Sequence, residues 1–189
     1  MRNLVIWGAA ALLLYSIPPA QAETQRLQNG TEFGGWTVAC EALAVNETVC
    51  VLSQRLVRAG DGGLLADLLA FSGADAPGAY VAARVPNGVF FPSGFSLRAD
   101  DVDSGDEILV DFAWQSCSPD ICEALLPLSA ETAGAFDTVP DWVAAYRPGI
   151  DAEALVFRLD PSGLQEGLSA LAAALGLPDP FSVDLAETE

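Results

Sequence analysis

The sequence predicts a mainly β, sandwich-like single domain with one C-terminal helix packed on the sheet. Three observations predict it. Apolar residues recur at every second position through the middle of the chain, and clusters of Gly, Pro, Asp and Ser break these runs at short intervals. The period lengthens to that of a helix only near the C-terminus. No internal repeat or linker divides residues 23–189, a length that buries a core without help from a metal.

The first element is not part of that domain. Met1 to Ala22, "MRNLVIWGAAALLLYSIPPAQA", carries a single cation at Arg2, an apolar run from Leu4 to Ile17, Pro18 and Pro19, and the small-residue site Ala20-Gln21-Ala22. That order predicts a secretory signal peptide. Its apolar run falls short of the roughly 20 residues that span a bilayer. The mature chain is therefore expected to lack a transmembrane span and to be periplasmic or secreted, a location that includes attachment to the outer membrane.

In "FGGWTVAC", Trp36, Val38 and Cys40 fall on one face of a strand, and "CVLSQRLV" from Cys50 to Val57 reads as its hairpin partner. Further strands are expected at Leu64 to Phe71, Tyr80 to Val85, Gly94 to Leu97, Glu107 to Trp114 and Ala124 to Leu128. In the run from Glu107, Ile108, Val110, Phe112 and Trp114 share a face opposite Asp111 and Ala113. The stretch Pro140 to Tyr146 is read as a short helical turn. The final helix has Asp160 as its N-cap, Pro161 at its first position, Gly176 as its stop and Pro178 beyond, with Leu164, Leu168, Leu171 and Leu175 as one apolar stripe.

Four cysteines, an even number in an exported chain, predict disulfides. Cys40 and Cys50 lie ten positions apart across the expected hairpin, and Cys117 and Cys122 five apart across Ser118 and Pro119. Each pair is expected to bridge locally. A zinc site is the sharper alternative, but structural zinc favours closer ligand pairs than the first two cysteines make.

The remaining composition narrows the chemistry. The chain has 26 acidic residues against eight basic ones, all arginine, no histidine, and a net charge of −18. Such a surface repels nucleic acid. Without histidine or lysine the usual general base, metal ligand and Schiff-base amine are missing, and with every cysteine bridged no thiolate remains. The densest acidic stretch is "ADDVDSGDE" from Asp100 to Glu107. Asp101, Asp103, Asp106 and Glu107 offer oxygens to calcium, but their spacing is not that of an EF-hand loop. The stretch is read as a solvated turn. Asp-Ser-Gly at Asp103 is the triplet found around aspartic-protease nucleophiles, yet only one is present. Asn29 and Asn46 begin glycosylation-type triplets, and Asn46 marks a turn. No catalytic residue, metal ligand or cofactor is assigned.

Taken together, "FGGWTVACE", "CVLSQ" with Gln54, "VPNGVFFPSGFSLRAD", "FAWQSCSPDICEALLPL" and "SGLQEGLSAL" resemble the invasion-associated locus B family of exported bacterial proteins. Ile121 stands where that pattern usually has glycine. The resemblance implies a compact, mostly β periplasmic or envelope-associated domain with two local disulfides and no attached enzymatic activity. The expected role is a non-catalytic envelope protein that binds an envelope protein or glycan. A carboxylate-dependent hydrolase of envelope polysaccharide and a surface adhesin are the alternatives.

Overall fold

The computed structural model describes residues 27–45, 47–73, 78–100, 105 and 107–182. The expected signal peptide, Asn46, and Asp101, Asp103 and Asp106 of the acidic stretch lie outside the described residues.

Ten strands form one continuous antiparallel sheet. They are β1 (Glu32–Phe33), β2 (Trp36–Ala44), β3 (Glu47–Val57), β4 (Leu64–Ser72), β5 (Ala79–Pro86), β6 (Phe95–Asp100), β7 (Glu107–Cys117), β8 (Ile121–Leu128), β9 (Val143–Tyr146) and β10 (Leu155–Arg158). Among the described residues two α-helices, α1 (Ala130–Thr138) and α2 (Leu164–Leu175), and a short 3-10 turn at Phe91–Ser93 accompany the sheet. The strand order β1-β2-β3-β4-β5-β8-β7-β6-β9-β10 is a meander with one excursion, since β6 and β7 lie beyond β8.

Period-two patterning decides which face is inside. Val38, Leu52, Leu68, Ala70, Val81, Ala83, Ala124 and Leu126 alternate inward and are buried. The sheet curls so strongly that β9 reaches β4, and the Tyr146 hydroxyl donates to the Leu65 carbonyl at 3.2 Å. Phe95, Leu97, Ala144 and Tyr146 thus share one core with the inner residues of β3 to β5, which gives the domain its sandwich-like section.

Pro140 to Tyr146 is not a helical turn. Asp141, at φ 61°, redirects the chain, and Val143–Tyr146 pairs with β6 on one side and β10 on the other. Trp142, Ala144 and Tyr146 point into the core while Val143 and Ala145 do not, so pairing on both edges overrides the helix preference of the alanines. Asp160 does not cap α2 either. Its carboxylate accepts from the Ser162 N–H at 3.1 Å in a local turn, and Gly163 in the left-handed region precedes the helix. Leu164, Leu168 and Leu171 are buried as the stripe requires, whereas Leu175 is 47% exposed. Helix α1, absent from the sequence reading, starts at Ser129, whose side chain accepts from the Thr132 N–H.

The start and end of the domain meet in one tight junction. Gly34 and Gly35 form the turn between β1 and β2, and it lies directly on the loop before α2. The Gly35 N–H donates to the Ser162 carbonyl at 3.1 Å, and the Trp36 indole N–H to the Pro161 carbonyl at 3.0 Å. Buried Gln54 donates from Nε2 to the carbonyls of Gly35 (2.7 Å) and Asp160 (2.6 Å). A Cβ on residue 35 would overlap the Asp160 carbonyl oxygen, so glycine is required by the approach of two backbones. "FGGW", "SQ" and "DPSG", far apart in sequence, are three parts of one fastening.

Candidate functional site

Cys40 and Cys50 face each other across β2 and β3, with Cα atoms 4.0 Å apart, and are bonded. The Val38 N–H and C=O bond to Thr31 and Gly30, away from β3. Alternation along β2 therefore makes Cys40–Cys50 a non-hydrogen-bonded pair, the closer of the two antiparallel spacings. Cys117 and Cys122 repeat this at the β7–β8 turn, where Ser118 bonds Ile121 through both backbone and hydroxyl.

Beyond the first bridge the hairpin continues as an arm. Every described residue of 41–49 is exposed, including Leu43 (57%), Val45 (92%) and Val49 (45%). Apolar residues at that exposure contribute nothing to the core. Under the arm, the last turn of α2 leaves a cleft of about 770 Å³. Leu27, Leu171, Ala174 and Leu175 make its apolar wall, with Asn29, Thr48 and the Cys40–Cys50 bridge opposite. Asn29, which the sequence shows only as the start of a triplet, has a structural bond: its Oδ1 accepts from the Cys40 N–H at 2.9 Å.

A second cavity of about 340 Å³ lies between the end of α1 and the loop before α2, with Asp137, Asp141 and Asp160 on its wall. Each of these acids holds the fold. Asp137 accepts from the Gly163 N–H at 2.7 Å, Asp160 from Ser162, and Asp141 from Arg158. On the outer face of the sheet, Arg55, Asp67, Arg84 and Glu123 stand directly opposite one another across four strands. Arg84 and Glu123 meet at 2.7 Å.

Two perturbed titrations have structural causes. The Gly63 N–H, helped by Arg58, holds the Asp61 carboxyl below the usual carboxylate range in the exposed β3–β4 turn. Burial pushes the Tyr146 phenol above its ordinary value. Among the described residues no group of three or more His, Cys, Asp or Glu side chains is placed to hold a metal. No helix among them is long and apolar enough to cross a membrane.

The sequence reading identified the cysteines but not the cleft. Leu27 and Asn29 carried no signal for it, and Leu175 was read as core. The exposed arm had one legible sign, apolar Leu43, Val45 and Val49 on both sides of a turn beyond a cysteine pair. Trp36 and Trp142 are 1% exposed and Trp114 packs against the core.

No curated protein matches the chain. The crystal structure of invasion associated protein B from Bartonella henselae is similar, with a TM-score of 0.57 at 17% identity over 77% of this chain and 96% of that one. At that identity the likeness speaks for the fold. The family model described as invasion associated locus B (IalB) protein matches residues 36–172, from the Trp36 anchor through most of α2, and the chain therefore belongs to the IalB family.

Proposed function

We propose that the chain is an exported, non-catalytic interaction module of the bacterial envelope that engages its partner through the arm at residues 41–49 and the cleft beneath it. One observation carries this reading: a hairpin held by a disulfide at its base presents Leu43, Val45 and Val49 to solvent, where they do nothing for stability. Export is supported by the signal-like first 22 residues and the two disulfides. A non-catalytic role is supported by the missing histidine and lysine and by the structural bonds of Asp137, Asp141 and Asp160 at the second cavity.

The test is site-specific photocrosslinking in living cells. A photoreactive residue at Val45 is expected to give a discrete adduct, and one at Ile150, equally apolar and 69% exposed on a different loop, none. No adduct at Val45 would defeat the proposal. Surface display as an adhesin is the second reading, favoured by the same exposed apolar residues. Cleavage of the arm by protease added to intact cells would select it over a periplasmic module.

A further inference from the structure

We infer that the open edge of β2 takes up an extended, basic and apolar peptide segment of a partner protein as an added strand. This rests on the reading of the arm as an interaction element and adds how it binds and what chemistry it selects.

The edge is defined by its hydrogen bonds. On the side away from β3, Val38 bonds Gly30 and Thr31, and the Asn29 side chain then takes the Cys40 N–H just as the carbonyl of a neighbouring strand would. By alternation the Cys40 C=O and the Ala42 N–H and C=O face the same way, and no described residue bonds them. The bulge after Ala42 ends the usable edge. An incoming segment would continue from the point where Asn29 stops.

Every second side chain of such a strand would turn toward the cleft of about 770 Å³, whose wall of Leu27, Leu171, Ala174 and Leu175 suits apolar groups. The charge around it selects the rest. Among the described residues no charged one lines the cleft itself, and the field comes from Glu41 and Glu47 on the two strands of the arm and from the acidic excess of the chain, −18 overall. Helix α2 ends at the cleft with no basic residue in its last turn, so its negative pole is uncompensated. The segment that fits alternates apolar residues with lysine or arginine. A second copy of this chain, at −18, would bring like charges together.

The experiment is fluorescence anisotropy of residues 23–189 with a short labelled peptide of alternating valine and lysine. Saturable binding is expected, with none for the valine–glutamate counterpart. Ala42→Pro removes an outward N–H without touching the β3 pairing and should weaken binding about tenfold. N-methylation of the peptide on its pairing edge should do the same with the unaltered protein, which keeps the test independent of the variant's folding. Equal binding of the methylated and plain peptides, or no binding at all, would overturn the inference. A Val45 crosslink persisting alongside absent peptide binding would overturn strand addition alone and leave the interaction module standing. Peptide binding seen only after removal of residues 23–26, or dimerisation abolished by Ala42→Pro, would assign the edge to the chain itself and likewise overturn it.

Discussion

Replacing Gly35 by alanine tests the junction between the start and end of the domain. The new Cβ would lie well under 3.0 Å from the Asp160 carbonyl oxygen and from Gln54 Nε2. The first of these is backbone and cannot rotate away, so the turn and the loop must separate by on the order of 1 Å. Four hydrogen bonds cross this contact: Gly35 to Ser162, Trp36 to Pro161, and Gln54 to both Gly35 and Asp160. Losing about half of them at roughly 1 kcal/mol each, plus about 1–3 kcal/mol of overpacking strain, gives a loss of about 3–5 kcal/mol. That is a large share of the ~5–15 kcal/mol that holds a typical domain. Urea unfolding followed by tryptophan fluorescence reads it directly, because Trp36 sits in the junction. With a slope of about 1–3 kcal/mol per molar urea, the midpoint should fall by roughly 2 M. Gly30→Ala is the control for backbone strain without overlap, since residue 30, unlike residue 35, has a positive φ of 88° and its Cβ would meet nothing within 4 Å. Its cost should stay at about 1–2 kcal/mol. A Gly35→Ala variant no weaker than Gly30→Ala would refute the reasoning.

Removing the Cys40–Cys50 bridge as a double serine variant should cost about 2.7 kcal/mol, and removing Cys117–Cys122 about 2.1 kcal/mol, in the chain-entropy account; calorimetry checks the order, and hydrogen exchange should rise in residues 41–49 only for the first. Asp67→Arg places three like charges in line with Arg55 and Arg84 and should cost about 1–2 kcal/mol, recovered in part at high salt. A loss indifferent to salt would contradict it. Tyr146→Phe removes the bond to Leu65 across the curl of the sheet, worth about 1 kcal/mol. Because burial raises the Tyr146 phenol above 10.0, the folded state favours its protonated form. That stabilisation is complete below pH about 10 and is lost as pH rises through the higher folded value. The wild type should therefore lose stability more steeply than Tyr146→Phe in alkaline melts.

The strands that sequence reading located, β2 to β8, carry apolar residues that alternate along their length, as from Trp36 to Cys40 and from Ile108 to Trp114. Strand β9 is short and rich in alanine, and only its pairing with β6 and β10 makes it a strand. Helix α1 buries just Ala133 and Phe136, too narrow a stripe to stand out. The cysteines were legible because oxidation and spacing are local properties. The cleft was not, because it exists only once α2 runs back along β3 and brings Leu171 and Leu175 beneath a hairpin more than a hundred residues earlier in the chain. Asn29 was visible only as part of a triplet, and its bond to Cys40 depends on the turn that precedes β1.

The fastening of "FGGW" to "DPSG" also sets a timetable. The Trp36 indole and its acceptor are 125 positions apart, and Gln54 and Asp160 are 106 apart. A ribosome releases the first partner long before the second, and closing so large a loop carries its entropy cost until the final contacts form. The β2–β3 hairpin has its neighbours at hand from the outset, but Trp36 must wait, its indole without the carbonyl it needs, until the loop before α2 has been made. A chain halted short of Pro161 would carry all ten strands and still lack the Trp36 acceptor, so arrival of the loop before α2, rather than formation of the sheet, is what closes the domain.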